Sequence, residues 1–350
     1  MQNSFNIEGH KIGGDAPVFI IAEAGVNHNG DEALAGKLID AAVEAGADCV
    51  KFQNFRAQDL VLASAVMAEY QKRNLGVDGR QLEMLKALEI SPEVIGRLKA
   101  YCDQRGIVFM STPYSHSDVD DLVAAGVSSF KLASIHCAEP AFVSFVASKG
   151  MPVVLSSGMC TLAEVDRAIA AHLATGNTAL ALLQCTTDYP SDARDANLLA
   201  MQKMGRMFPV VPGYSDHTAG STVAIAAVAL GAKVIERHLT LDTSMPGPDH
   251  AASLDPKQFE SYVAALRTTE SALGSDWKQP AAGEVKNKNV MRRCLVLREA
   301  QPNGHKLVQA DFTFMRPLEA GIAVQDLERV AGLQLRCAKG KGEPLTWDDV

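Results

Sequence analysis

Short apolar or β-branched runs recur along the chain at 18–22, 49–52, 107–110, 130–133, 153–155, 180–183, 210–211 and 234–235. They are too short for helices, and they predict eight strands. Between them the apolar positions follow a helical period, as in DEALAGKLIDAAVEAGA, SPEVIGRLKAYCDQRG, AEVDRAIAAHLATG and GSTVAIAAVALGA. Several of these segments end on the glycine expected just past a helix. Strand and helix therefore alternate, with most repeats taking about 22 to 30 residues, the size of a βα unit. One spacing is longer. The stretch 54–79, NFRAQDLVLASAVMAEYQKRNLGVDG, predicts an extended loop and helix over the mouth after the second strand.

Both a closed barrel and an open doubly wound sheet alternate in this way. Polarity separates them, because every predicted strand runs into polar residues at its C-terminal end: Glu23 and Asn27, Lys51 and Gln53, Ser111 and Thr112, Lys131 and Ser134, Ser156 and Ser157, Gln184 and Thr186, Ser215 to His217, Glu236 to His238. A barrel gathers all eight ends at one mouth, whereas an open sheet gathers only those near its switch point. The expected fold is thus an α/β (β/α)8 TIM barrel. After its last helix, roughly 256–272, the polar stretch GSDWKQPAAGEVKNKN reads as a linker. Beyond it lie short β-like runs, RCLVL and KLVQ, in a segment of about 60 residues that is small for a robust independent core. The expected division is a catalytic domain over 1–275, a linker over 276–290 and a small β-rich domain over 291–350.

Composition narrows the class. A chain of 350 residues with 47% hydrophobic and 21% charged residues is an ordinary globular protein, not a disordered or collagen-like one. The net charge of −8 offers no basic field for nucleic acid, so an anionic ligand must be held by locally placed cations. Seven scattered cysteines without CxxC spacing argue against a disulfide framework or a zinc ribbon and for reduced thiols in the cytoplasm. Neither an export signal nor a membrane-length apolar run is present in the sequence, and no membrane association is expected.

At the predicted mouth, His217 and His238 end neighbouring strands and suit a shared divalent ion, Mn2+, Co2+, Mg2+ or Zn2+, with open positions for water and substrate. The alternative is a pair of hydrogen-bonded structural histidines. Lys51 and Lys131 close apolar strands and aim at the same mouth. With the hydroxyls of Thr112, Ser134, Ser156 and Ser215 they form a candidate anion cradle, the competing reading being scattered ion pairs. Glu23 is a candidate proton acceptor. There is no Walker loop and no GxGxxG after a strand, which favours a small phosphorylated or carboxylated compound over a nucleotide.

The motifs FIIAEAGVNHNGD, AGADCVKFQ, FMSTPYS, LSSGM, QCTTDYP, GYSDHTAG, ALGAKVIERHLTLD and MPGPDHAASLDP, in that order, resemble the sialic acid synthase family. RRCLVLREAQPNGHKL, FTFMRP and GEPLTWDDV resemble its C-terminal SAF, or antifreeze-like, domain. The resemblance implies a metal-dependent condensation of phosphoenolpyruvate with an open-chain N-acylated hexosamine, typically N-acetylmannosamine, releasing phosphate by C–O cleavage. It implies His217 and His238 as metal ligands and Lys51, Thr112, Lys131, Ser134, Ser156 and Ser215 as phosphoenolpyruvate contacts. It also implies Glu23, Gln53, Tyr189 and Asp249 near the sugar and the reacting atoms, with Thr187 at a position where relatives carry asparagine. Arg316 corresponds to an arginine that reaches from one subunit's SAF domain into the other's barrel, implying a domain-exchanged homodimer. His136 stands where many relatives have an acidic residue, so it is read as a sugar contact whose change to imidazole favours a deoxy or diacetamido hexose. On that reading His136→Glu would alter acceptor preference more than the KM for phosphoenolpyruvate. Two other functions remain open: a different metal-dependent or Schiff-base TIM-barrel aldolase, with Lys131 or Lys51 as nucleophile, and a non-catalytic sugar-binding protein.

Overall fold

The computed structural model describes residues 4–67, 72, 80–317 and 321–350. The chain divides into two units, Met1–Gly274 and Ser275–Val350.

The first unit opens with a hairpin, β1 (Ser4–Ile7) and β2 (His10–Gly13), which the hydrophobic pattern did not predict. Eight parallel strands follow: β3 (Phe19–Gly25), β4 (Cys49–Asn54), β5 (Val108–Pro113), β6 (Phe130–Leu132), β7 (Val153–Ser156), β8 (Leu180–Cys185), β9 (Val211–Asp216) and β10 (Val234–His238). Their hydrogen-bonded order is β5-β4-β3-β10-β9-β8-β7-β6, and β5 and β6 lie side by side, so the sheet curls into a nearly closed TIM barrel. Each strand is followed by a crossover helix, among them α1 (Glu32–Glu44), α2 (Pro92–Arg105) and α3 (Pro256–Leu273). Local chemistry sets their ends. Asp31 caps α1 by accepting from the amides of Ala33 and Leu34, and α2 starts at Pro92 behind a Ser91 cap and stops at Gly106, whose φ of 70° suits glycine. The stretch 54–79 contains a short helix, Ala57–Leu60, while 68–71 and 73–79 lie outside the described residues.

Side chains on a strand alternate between faces, and in this barrel the alternation sorts both core and site. Outward positions such as Ile20, Ala22, Val50, Phe52, Phe109, Leu132 and Leu155 pack under the helices. Inward positions in the N-terminal halves, Phe19, Ile21, Cys49, Val108, Met110, Val154, Ala181, Leu183, Val211 and Val234, fill the barrel together with Ile7 and Ile12 of the hairpin. The hairpin thereby plugs the barrel floor. Gly213 belongs to this packed interior: a Cβ there would sit 2.3 Å from Leu183 Cδ2 and 2.5 Å from the Val234 carbonyl oxygen.

In the second unit β11 (Cys294–Leu297) and β12 (Phe312–Met315) pair antiparallel over a core of Leu295, Leu297, Leu307, Phe312, Ile322, Val330, Leu335 and Leu345. A helix, Ala282–Met291, occupies much of the stretch read as a linker. Val285, Val290 and Met291 are exposed, so among the described residues the helix shows no buried stripe to betray it in the sequence.

Candidate active site

The inward alternation continues past the apolar layers to the C-terminal strand ends, where it delivers Glu23, Lys51, Gln53, Thr112, Lys131, Ser156, Cys185, Ser215, Glu236 and His238 to the walls of one cavity of about 390 Å³. Register brings them into contact: Glu23 lies opposite both Lys51 and His238, and Ser215 lies opposite Glu236. Lys51 Nζ is 2.9 Å from Glu23 Oε1 and donates to Thr112 Oγ1 at 3.1 Å. Lys131 Nζ donates to Ser156 Oγ at 2.7 Å and stands 3.5 Å from Glu236 Oε2. Glu236 lies between the two lysines, 3.8 Å from Lys51, and its other oxygen accepts from Ser215 Oγ at 3.0 Å. Gln53 donates to Glu23 at 3.1 Å and accepts from Tyr114 Oη at 3.2 Å.

All four charged groups are buried, and burial disfavours each charge. For Glu23 burial wins. Together with the neighbouring Glu236 it outweighs Lys51 and Gln53 and pushes the carboxyl up to about 7. Glu236 goes the other way, because Lys131 and Lys51 more than offset its desolvation and hold it below the usual carboxylate range. Burial depresses the Lys131 ammonium, while Glu23 and Glu236 raise that of Lys51 against its own desolvation. The result is a firm anion, Glu236, between two cations, with Glu23 poised to exchange a proton near neutrality. Its Oε2 is buried without a partner.

At the rim, His217 and His238 have ring centroids 5.4 Å apart, with the Tyr189 ring 4.2 Å from the first and 5.6 Å from the second. A carbonyl oxygen only accepts, so the 2.9 Å contact between His217 Nδ1 and the Thr186 oxygen puts a proton on Nδ1, and in the neutral ring Nε2 keeps its lone pair. Burial, then the neighbouring cations, drives the His238 pKa well down, so this imidazole is neutral, and its Nδ1 is buried without a hydrogen-bond partner. The His217 pKa moves up instead, because Cys185, the Thr186 carbonyl and Glu236 outweigh its desolvation. Two adjacent imidazoles fit a divalent ion, whose binding would displace the His217 proton. Among the described residues no group of three or more His, Cys, Asp and Glu forms a complete cage, so the remaining ligands would be substrate or water. Asp249, buried and raised to about 6 by desolvation, lines the same cavity.

Ser134 and Thr187 line the cavity beside Gly158, whose amide donates to Ser134 Oγ at 3.0 Å. A Cβ at Gly158 would stand 2.4 Å from Thr187 Oγ1 and 2.7 Å from Ser134 Oγ, so only glycine lets these two hydroxyls converge. Arg316 lies in the second unit, directly after β12. One residue expected at the site is set back from it. His136 is buried behind the wall, its Nδ1 donating to Glu139 Oε2 at 2.9 Å and its ring 4.6 Å from that of Phe142; its neighbours Ser134 and Ile135 face the cavity in its place.

Glu236, Tyr114 and Cys185 were not singled out as site residues. Period-two alternation would have found Glu236 and Cys185, as partners in phase with His238 and Leu183. Nor did the sequence single out the apolar sector of the cavity, formed by Val26, Phe55, Leu60, Val61, Met84, Leu85 and Leu88.

The NeuB family matches residues 38–278 and the SAF domain residues 292–350. Over 97% of its length the chain is 42% identical to N,N'-diacetyllegionaminic acid synthase of Legionella pneumophila, covering 96% of that protein. It is 38% identical to the protein of the same name from Campylobacter jejuni, over 89% of this chain and 94% of the other. The crystal structure of N-acetylneuraminic acid (sialic acid) synthetase from Leptospira borgpetersenii superposes with a TM-score of 0.73 at 31% identity, over 83% of this chain and 98% of that one. Sequence and fold agree in these matches: the chain belongs to the NeuB family.

Proposed function

We propose that the protein condenses phosphoenolpyruvate with the open-chain aldehyde of an N-acylated hexosamine, releasing phosphate and a nonulosonic acid. The observation that carries this reading is the two-sided cavity, with two buried lysines, four hydroxyls and two carboxylates on one side and an apolar sector on the other. Lys51 and Lys131, with Thr112, Ser134, Ser156 and Ser215, would hold the phosphate and carboxylate of phosphoenolpyruvate. Carbon–carbon bond formation leaves an oxocarbenium that needs water, and Glu23, with its unpaired oxygen and its pKa near neutrality, is suited to take that water's proton. Loss of phosphate from the resulting tetrahedral centre completes the reaction. A divalent ion held by His217 and His238 would supply Lewis-acid polarisation of the aldehyde oxygen. Gln53, Tyr189, Asp249 and Thr187 would contact the sugar.

For the acceptor we infer a 2,4-diacetamido-trideoxyhexose over N-acetylmannosamine. The apolar sector suits a methyl in place of a hydroxymethyl group, and the two relatives named above make N,N'-diacetyllegionaminic acid. We further propose residues 276–290 as a linker and a homodimer in which Arg316 enters the partner's barrel. Exposed Trp277, Val285, Val290 and Met291 support a partner surface there; sedimentation as an active monomer would overturn it. A Schiff-base aldolase draws some support from the depressed Lys131 ammonium, and borohydride trapping with substrate would reveal it.

The test of the whole reading incubates purified protein with phosphoenolpyruvate and a panel of N-acylated hexosamines, with and without chelator, and follows phosphate and product mass. Chelator-sensitive phosphate release is expected with the diacetamido sugar and is expected to vanish in His217→Ala and His238→Ala. No release with any acceptor refutes the function.

A further inference from the structure

His217 and His238 stand where the β9–β10 ladder ends, while β10 still pairs with β3 at His238. The ladder between β9 and β10 ends at the pair Arg237 and Asp216, so each imidazole lies one residue beyond the last position at which that ladder fixes their separation. The two residues at which it ends point outward, away from the cavity, and are buried charges, Asp216 at 0% and Arg237 at 3% exposure. Neither takes part in the chemistry above. Replacing such a pair with apolar side chains is often neutral or stabilising, so its presence calls for a task other than stability.

The contacts identify that task. From β10, Arg237 Nη1 donates to the main-chain oxygen of Asp216 at 3.2 Å and to that of Thr218, thus gripping the backbone on either side of His217. The Asp216 carboxylate accepts from the Thr218 amide at 2.9 Å and from its hydroxyl at 2.7 Å, closing a turn with His217 at its centre. Its other oxygen accepts from Tyr262 Oη of α3 at 2.9 Å, which anchors the turn to the helical layer. Side chains have taken over where the ladder stops.

We propose that Asp216, Arg237 and Tyr262 are positioning residues that set the distance between the two imidazoles and so the affinity of the cation they share. The proposal rests on the two-histidine reading of the metal site. Removing a hydrogen bond behind a ligand typically costs 10- to 100-fold in metal affinity; these residues act through the backbone, so a loss nearer ~10-fold is expected for Tyr262→Phe and more for Asp216→Asn. The experiment measures Mn2+ binding to the metal-free protein by electron paramagnetic resonance, without substrate or turnover, alongside urea denaturation. Wild-type protein should bind one Mn2+, His217→Ala and His238→Ala should bind none, and Tyr262→Phe should bind about tenfold more weakly while it stays folded, its unfolding midpoint lowered only by the lost hydrogen bond. Histidine-dependent Mn2+ binding that is the same in wild type, Tyr262→Phe and Asp216→Asn overturns the brace and spares the metal site. Wild-type protein that binds no Mn2+ overturns both. Should Asp216→Asn fail to fold, Tyr262→Phe, which leaves every charge in place, decides alone.

Discussion

Replacing Glu23 by glutamine should change how the stability of the protein depends on pH. In the folded state the carboxyl holds its proton up to about 7, against an ordinary 4.5, chiefly because it is buried. Between these two values the folded chain binds more protons than the unfolded one, so Glu23 favours the folded state fully below about pH 4.5 and progressively less as pH rises through 7. At 1.36 kcal/mol per pH unit the whole span is worth about 3 kcal/mol, and the part between pH 5 and 8 about 2 to 3 kcal/mol. Glutamine keeps the shape but cannot ionise, so the Glu23→Gln protein should lack this decline. Urea denaturation at pH 5, 6, 7 and 8 measures it: the stability difference, variant minus wild type, should climb by about 2 to 3 kcal/mol across the series. The kcat/KM profile should carry the same mark, with a limb near pH 7 in the wild type that the variant loses. A stability difference that stays flat with pH would refute the claim that burial dominates at Glu23.

Other outcomes follow from the cavity. Gly158→Ala should raise the KM for phosphoenolpyruvate by roughly tenfold or more, because the added methyl overpacks against Thr187 and Ser134; steady-state kinetics at saturating acceptor check it. Leu85→Asn should shift the kcat/KM ratio by roughly tenfold from 6-deoxy towards 6-hydroxy acceptors, and an unchanged ratio would remove the apolar sector from acceptor recognition. His136→Glu should leave acceptor ranking unchanged, contrary to the expectation drawn from sequence. It should lower Tm by several degrees instead, since it sets a second carboxylate beside Glu139 in a pocket walled by Phe142.

The barrel was legible because its two periodicities are local. Each strand announces itself over a few residues and each helix over three turns, and polar residues at all eight strand ends pointed to one mouth. Polarity alone, however, does not say which way a side chain faces. Gln184 and Asp216 marked strand ends as strongly as Lys51 did, yet Gln184 turns out to bond the Ala196 carbonyl and Asp216 to bond Tyr262, while the apolar-looking Cys185 faces inward. Phase along the strand, anchored on Leu183 and Val211, carries that information. The apolar sector was illegible for another reason. Its members come from the loops just after β3 and β4 and from the connection before α2, and only the folded chain brings Val26, Phe55 and Leu85 together. His136 was misplaced because a one-turn helix, Ser134–Cys137, spreads consecutive side chains around its axis, so adjacency to Ser134 did not mean sharing its direction.

The hairpin under the barrel has a kinetic consequence. With Ile7 and Ile12 packed against the first inward residues of the strands, the barrel floor is filled among the described residues, which leaves the C-terminal rim for traffic. Substrates and both products then share one mouth, so the departure of each product is coupled to that of the other. That constraint is set by the β1–β2 hairpin, at the opposite end of the barrel from the chemistry.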